Sequence, residues 1–486
     1  MSKLAPVIQI PSLAKIAAAL TLALAGCTTP VLQSTVDVPG RYAAAPESQS
    51  EPEVAWWESY GDPVLTDLVR RAARENRNIK IAVERVRAAR AGETISRSWL
   101  MPSVGATAVG VRQITNYDSA IKQNVPDIKA GVAGIDVSWE IDLAGRLRSG
   151  ASAAAADTMA AEHGARGVRL LVVSDVAANY FTLVGALRQL ETVRAISAAH
   201  DETLRLVVAR ERAGLATPFD VERAQTDASR ARAGIPPLER LAAISRHRIA
   251  VLIGDQAVNA ASIVPWRGEL AVPAARPGQP AALLQRRPDL LALQAQLDAA
   301  NWRRQQAAAE WFPRLFVGAL LGGASLGLNG IGLGSARFTN ASGLLTTPIF
   351  NSGRTQAMND IAASGQSEAL FRYEDGIVRA LEDVENALVS VKQERERAQL
   401  LQSAAASAEA ALGHAQSLYN RGQIDLLPLL DAQRSRLAVQ ISATDSNTQL
   451  LLDSVQLYKA LGGGWQLFEP ADKPAASPAA AAAPKS

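Results

Sequence analysis

The chain repeats one sequence pattern, and this repeat constrains the fold more than any other feature. Pro102 and Pro313 lie 211 residues apart, and beyond them the matched positions are 208 residues apart. The matched segments are Gly145-Arg146 with Gly353-Arg354, Asp175-Val176 with Asp383-Val384, Gly214 with Gly422, Ala224-Gln225 with Ala432-Gln433, and Leu252-Ile253-Gly254 with Ala460-Leu461-Gly462. Such a series, with a single three-residue adjustment, is not expected by chance. The sequence therefore predicts a tandem duplication.

Each copy is predicted to begin with a helix followed by two strands. The helices cover Asp62 to about Ser98 and Leu283 to about Glu310, and each ends before a proline that breaks it. Strand-like segments follow at 103–113 and 132–141, and in the second copy at 315–325 and 338–347. The glycine-rich segment 327–334 lacks the spacing of a phosphate-binding loop and is predicted to be a hairpin loop.

Very long helical segments follow the strands in both copies. Residues 151–212 and 355–421 contain no proline, and sixty residues of helix span ~90 Å. A turn at Gly214 or Gly422 then leads into a returning helix, which the segment Ile235-Pro236-Pro237 interrupts in the first copy only. Helices of this length, with Ala and Leu at spacings of three and four, predict an antiparallel coiled coil rather than a compact globule.

The number of strands predicts an oligomer. Four strands are too few for a membrane barrel, because spanning barrels start near eight strands. Unpaired strand edges are not tolerated in lipid. Several copies must therefore contribute strands to one wall, although the strand count alone does not fix how many.

The N-terminus has the order of features found in bacterial lipoproteins. Lys3 and Lys15 precede the apolar run 16–25, which is too short to span a bilayer but fits a secretory signal peptide. The run ends in Leu24-Ala25-Gly26-Cys27, and Cys27 is the only cysteine in the chain. Small residues directly before a cysteine predict cleavage at that point and attachment of lipid to Cys27.

Composition and motifs exclude several classes of protein. The net charge is +3, removal of Lys3 and Lys15 with the signal peptide leaves +1, and the charges are interspersed, so nucleic acid is not a predicted partner. No nucleophile motif appears, and no enzyme activity or cofactor is predicted. The histidines lie on predicted helices, without the i, i+4 pairing of a metal site; they are His163, His200, His247 and His414.

Several ordered motifs resemble the TolC/OprM outer-membrane factors, in particular the NodT-like lipoprotein branch that serves tripartite resistance-nodulation-division pumps. They extend from Trp56 to Trp465. The motifs are Trp56-Trp57-Glu58-Ser59-Tyr60-Gly61-Asp62-Pro63, Ser138-Trp139-Glu140-Ile141-Asp142-Leu143-Ala144-Gly145-Arg146, Arg286-Arg287-Pro288-Asp289, Pro348-Ile349-Phe350-Asn351-Ser352-Gly353-Arg354 and Ala460-Leu461-Gly462-Gly463-Gly464-Trp465.

The resemblance implies a mainly α-helical protein with a membrane β-barrel part. A homotrimer would close a 12-stranded β-barrel on a periplasmic α-helical barrel, with a periplasmic adaptor protein and an inner-membrane transporter as partners. The predicted organisation is a signal peptide (1–26), a lipid-anchored equatorial segment (27–61), a first repeat (62–254), an equatorial linker (255–282), a second repeat (283–462), and an equatorial segment with an Ala/Pro-rich disordered tail (463–486).

The resemblance also places a constriction near the second turn. Leu427 and Asp431 are one helical turn apart on the same face, and they match the positions of an apolar ring and a carboxylate ring. Pro428 stands where TolC carries a second carboxylate, so one acidic ring is expected, with Asp425 capping the helix. Solvated or packing roles for Leu427 and Asp431 remain the alternative.

Exposed polar residues at the two turns are weaker candidates for adaptor contacts, since such residues are more often simply solvated. They are Arg212, Thr217, Arg421 and Gln423.

Other functions stay open at this point. A type I secretion or metal-efflux outlet has the same architecture, and a lipid-anchored periplasmic coiled-coil scaffold would explain Cys27 and the helices but not the strand pairs. Trp99, Trp139 and Trp311 lie beside predicted strands, where they fit either a membrane interface or a packed core.

Overall fold

A computed structural model describes residues 29–44, 53–114, 116, 121, 127–268, 270–274 and 276–468. The signal peptide, Cys27 and the tail after Phe468 lie outside these residues. The helices are α1 (Pro63–Glu75), α2 (Arg77–Ser98), α3 (Arg146–Arg212), α4 (Pro218–Ala233), α5 (Ile235–Leu252), α6 (Leu283–Arg286), α7 (Pro288–Ala308), α8 (Arg354–Asn420) and α9 (Leu426–Ala460). The strands are β1 (Ser103–Gln113), β2 (Ile128–Ile141), β3 (Arg314–Leu328) and β4 (Ile331–Thr346).

The chain divides into two compact units. One comprises residues 1–35, 85–161 and 292–374, and the other comprises 36–84, 162–291 and 375–486. Both 67-residue helices, α3 and α8, contribute to each unit.

The predicted single helix at Asp62–Ser98 is wrong, because Asn76 divides it into α1 and α2. The Asn76 side chain accepts hydrogen bonds from the N–H groups of Asn78 (2.8 Å) and Ile79 (3.2 Å), which caps the start of α2. The predicted helix of the second copy also divides, at Arg287. There Pro288 forces the preceding residue out of the helical conformation, and the ψ angle of Arg287 is 115°.

The sheet belongs to the first unit and has the order β1-β2-β3-β4, with every neighbouring pair antiparallel. The β3–β4 hairpin corrects the predicted glycine-rich loop. The strands continue to a two-residue turn at Asn329 and Gly330, whose φ angles of 49° and 81° fit a type I′ turn. The predicted loop at 327–334 is too long, because Asn329 and Gly330 alone make the turn and Leu328 already pairs with Ile331.

One face of the sheet is apolar and exposed to solvent in the single chain. The register places Val104, Ile135 and Leu321 on this face, and their exposed fractions are 70%, 52% and 49%. The opposite face is polar near the start of β1, where Thr107 donates a hydrogen bond to Asp136 (2.9 Å). β1 and β4 are the edges of the sheet within the described residues.

The core of the second unit contains an aromatic cluster that joins distant segments. Trp56 stacks on Tyr458 with 5.1 Å between ring centroids, Tyr60 contacts Phe181, and Trp57 stacks on Phe468.

α3 contains an apolar stretch long enough to cross a membrane, but two thirds of it is buried in the chain. We therefore interpret that stretch as core.

Candidate functional site

Both long helices of the second unit end in the same type of turn. Gly214 and Gly422 have φ angles of 75° and 70°, a conformation that favours glycine. After α3, the Leu215 N–H donates to the Arg210 carbonyl (2.8 Å); after α8, the Gln423 N–H donates to the Leu418 carbonyl (2.9 Å). These bonds satisfy carbonyls at the helix ends, so the local sequence alone is sufficient to end both helices here.

The returning helices begin differently. Thr217 caps α4 in a reciprocal arrangement in which its hydroxyl accepts from the Asp220 N–H (3.3 Å), and the Asp220 carboxylate accepts from the Thr217 N–H (2.9 Å). Asp425 precedes α9, but its side chain makes no capping hydrogen bond. The expectation that Asp425 caps this helix is therefore wrong.

The predicted constriction residues lie on the exposed side of α9. Leu426, Leu429 and Leu430 face the opposite way, into a small core with Val207 and Ala224. Leu427 is 50% exposed and Asp431 is exposed. Within the described ranges, the Asp431 carboxylate has no hydrogen-bond or ion-pair partner. The structure thus brings Leu427 and Asp431 onto one accessible surface, where a partner subunit or ions could meet them.

A buried ion pair lies just behind this surface and was not predicted from the sequence. Arg434, on α9, donates to both carboxylate oxygens of Asp227, on α4, at 2.7–3.0 Å. The Asp227 side chain is 2% exposed. Next to this pair, the Gln433 side chain donates to the Thr203 hydroxyl on α3 (2.9 Å). These contacts join α9 to both helices of the first hairpin within three residues of Asp431.

His200 lies close to the ion pair and is 3% exposed. Burial lowers its pKa below the usual value; Arg434 acts in the same direction, while Asp227 and Asp201 partly oppose the shift. The imidazole is therefore held neutral more strongly than an exposed histidine.

The four candidate adaptor contacts are all exposed at the turns. The Arg421 guanidinium donates to the Ser417 carbonyl and hydroxyl, and Thr217 has its capping role. Leu215 and Phe219 were not predicted from the sequence as contacts, yet they are 76% and 70% exposed at the first turn. Apolar residues within a short polar turn were the available signal.

Two residues of the Arg286-Arg287-Pro288-Asp289 motif, Arg287 and Asp289, line a cleft of about 470 Å³ in the second unit. Arg287 donates to Asp289 (2.7 Å) and Asp383 (3.0 Å). Burial alone would raise the pKa of Asp289, but the hydrogen bond and charge of Arg287 outweigh it and lower the pKa. The side chains engage one another, which indicates a structural role for the motif.

The described residues contain no group of three or more His, Cys, Asp and Glu side chains that could hold a metal ion. Of the histidines, His247 and His414 are exposed on helices, and His163 contacts the guanidinium of Arg166.

Cys27 lies outside the described residues, but the segment that follows it is described from Thr29 onward. Trp99, Trp139 and Trp311 are 65%, 39% and 50% exposed, so core packing within the single chain does not explain them.

Comparison with known proteins gives consistent results. A family model described as "Outer membrane efflux protein" matches residues 68–255 and 280–463. The pyoverdine export outer membrane protein OpmQ of Pseudomonas aeruginosa is 33% identical over 469 residues, covering 94% of this chain and 98% of OpmQ. The outer membrane protein OprJ of the same species is 32% identical, covering 87% of this chain and 89% of OprJ. The solved outer-membrane channel OprN is 27% identical with a TM-score of 0.82, covering 90% of this chain and 99% of OprN.

Proposed function

Since the chain belongs to the outer membrane efflux protein family, we propose that it forms the exit duct of a tripartite pump. The duct would take small molecules from a periplasmic adaptor and an inner-membrane resistance-nodulation-division transporter to the outside. The protein is an outer-membrane efflux channel and not an enzyme. The observation that carries the proposal is the four-stranded sheet with an exposed apolar face, continuous in sequence with two 67-residue helices.

The sheet supports closure by a homotrimer. Its apolar face suits lipid, whereas the polar face around Thr107 and Asp136 suits a water-filled interior. In lipid, the N–H and C=O groups at the edges of β1 and β4 require partners. Pairing β1 of one copy with β4 of the next supplies those partners, and three copies give twelve strands.

Lipidation of Cys27 would add an anchor to the barrel. The signal peptide and the small residues before Cys27 support this modification. Each buried CH₂ of acyl chain contributes about 0.8 kcal/mol, so several acyl chains hold a protein firmly at a membrane.

The constriction would be formed by Leu427 and Asp431 from three copies. Both side chains lie on a surface of α9 that the single chain leaves accessible. A three-fold axis near this surface would bring three leucines and three carboxylates together, one turn apart. The carboxylates would repel one another when ionised and attract cations.

Single-channel recording in planar bilayers tests this assignment. Asp431→Ala and Leu427→Ser should each raise the conductance of reconstituted trimers, because they remove the charged ring and the apolar ring. Ser435→Ala is the matched control, since Ser435 is exposed one turn further along α9 and carries no charge. Unchanged conductance in both test variants would show that these residues do not form the constriction. The measured current would still show that the protein forms a channel.

The turns at Gly214 and Gly422 would contact the adaptor. Arg212, Gln423 and the apolar Leu215 and Phe219 are accessible there. Replacement of Leu215 and Phe219 by Ser should weaken co-purification of the adaptor, whereas replacement of Thr217 would also remove a helix cap. If co-purification is undiminished after Arg212, Leu215, Phe219 and Gln423 are all replaced, the adaptor binds elsewhere.

A further inference from the structure

Two basic residues lie at one end of the apolar face of the sheet. The register pairs Arg112, on β1, directly with Lys129, on β2, and both side chains are exposed. Because side chains two residues apart on a strand share a face, Arg112 lies on the same face as Val104, and Lys129 lies on the same face as Ile135. β1 begins after α2 and β2 ends before α3, so the pair lies at the end of the strands that is remote from these helices.

The two cations have no counter-charge in the part of the chain that the structure describes. Residues directly opposite one another in an antiparallel pair have Cβ atoms about 5 Å apart, and like charges at this separation destabilise the sheet. Neither side chain forms a hydrogen bond or an ion pair with a described residue. Arg337, on the same face of β4, differs because its register partner is Gly323. An anion held between Arg112 and Lys129 would relieve their repulsion.

The remainder of this face of β2 is apolar. From the helix end toward Lys129, the residues on it are Trp139, Val137, Ile135, Ala133 and Gly131. The ten residues from Trp139 to Lys129 rise about 33 Å along the strand, which is about 25 Å along the axis of a barrel whose strands tilt by about 40°. That distance equals the height of the apolar band of a membrane barrel.

The two ends of this face fit the two boundaries of such a band. The exposed Trp139 ring donates its indole N–H to the Leu100 carbonyl (3.1 Å), and tryptophan is enriched where the hydrocarbon meets water. Charged residues on the lipid face are costly at the centre of the hydrocarbon and cost little near its boundary. With the helices on the periplasmic side, Arg112 and Lys129 therefore fit the boundary of the outer leaflet.

We propose that Arg112 and Lys129 bind the phosphate groups of an outer-leaflet glycolipid of the lipid A type. The inference rests on the proposed function, in which the apolar face of the sheet contacts lipid. The Arg112 guanidinium offers parallel N–H donors to a phosphate, and the Lys129 ammonium adds a compact charge beside it. Bound glycolipid neutralises the opposed cations and so stabilises the sheet that carries them.

Native mass spectrometry of full-length trimers, titrated with bisphosphorylated lipid A, tests the proposal. Arg112→Gln with Lys129→Gln should weaken binding at least about tenfold, because both charge-assisted contacts are lost. Arg112→Lys keeps the charge and should lose less than the double variant. The matched control is Arg240→Gln with Lys392→Gln, which removes the same two charges from exposed positions on α5 and α8 and should leave the affinity unchanged.

Two further ligands identify the group that is recognised. Lipid A stripped of its phosphates should bind the wild type no better than the double variant, because the acyl chains alone remain. Inorganic phosphate should not raise the unfolding temperature of the trimers, whereas bisphosphorylated lipid A should raise it in the wild type and not in the double variant. Equal lipid A affinity in wild type and double variant, an equal loss in the helix control, or stabilisation by inorganic phosphate alone overturns the proposal.

Bilayer recording distinguishes this failure from failure of the proposed function. If the wild type and the double variant conduct equally well and bind lipid A equally well, the glycolipid site alone is refuted. If the wild type forms no conducting trimers, the proposed channel is refuted together with it.

Discussion

Breaking the buried ion pair between Asp227 and Arg434 should loosen the helices behind the proposed constriction. Arg434→Leu leaves the Asp227 carboxylate, 2% exposed, without the three hydrogen bonds that it accepts. Removing one partner of a buried pair costs about 3–5 kcal/mol. Because the Arg434 side chain is itself 37% exposed, water can partly replace it, and we expect a cost near the lower end, about 3 kcal/mol.

Native-state hydrogen exchange measures this cost directly, as the free energy of local opening of α4 and α9 around the pair. A loss of about 3 kcal/mol corresponds to exchange more than 100-fold faster. The double variant Asp227→Leu with Arg434→Leu should recover most of the loss, since no charge is then left buried. The matched control is Glu409→Ala, which breaks the more exposed pair with Arg436 on the same helix and should cost less than about 1 kcal/mol.

Two results would refute this reasoning. Exchange in Arg434→Leu no faster than in Glu409→Ala would mean that Asp227 is not dependent on its partner. A double variant as unstable as the single one would mean that packing, rather than an uncompensated charge, determines the stability of this site.

Three further expectations follow from the same region and from the anchor. Gly422→Ala should destabilise the turn after α8 by about 1 kcal/mol, because the φ of 70° at this position is strained for alanine. The control Gly413→Ala should be neutral or stabilising, because Gly413 lies within α8 with open space around it. Equal effects of the two substitutions on thermal unfolding would contradict this expectation. The pKa of His200 is lowered in the folded chain, so the unfolded chain binds more protons as the pH falls through the ordinary histidine range. The stability of the fold should therefore decline below about pH 6.5, and His200→Gln should make that decline less steep. A pH profile of unfolding that is the same in wild type and His200→Gln would contradict this expectation. Cys27→Ala, if still exported, should leave some assembled channel on gels without boiling, because the barrel holds the chain in the membrane; complete loss of trimers despite normal secretion would show that assembly requires the anchor.

Local sequence was sufficient for the features that depend on neighbouring residues. Gly214 and Gly422 end α3 and α8 because few other residues adopt a left-handed conformation easily, and the proline-free segments form helices of 67 residues each. The predicted strand 132–141 lies within β2, and it could be predicted because a strand places successive side chains on opposite faces, which gives alternating apolar and polar residues. The sequence also carried the family motifs, and membership in the outer membrane efflux protein family confirms the predicted function.

Only the tertiary structure decided which distant groups satisfy one another. Asn76 divides the first helix by capping α2 while its amide also donates to the Leu252 carbonyl, a partner 176 residues away. Asp227 and Arg434 are 207 residues apart, and Asn301 accepts a hydrogen bond from the N–H of Leu32, which precedes it by 269 residues. A sequence lists such donors and acceptors without pairing them, because the free energy of a buried polar group depends on what the fold places within about 3 Å of it. The long helices could therefore be predicted from the sequence, whereas the hydrogen bonds from Asn301 and Gln366 to the backbone of Leu32 and Pro30 could not.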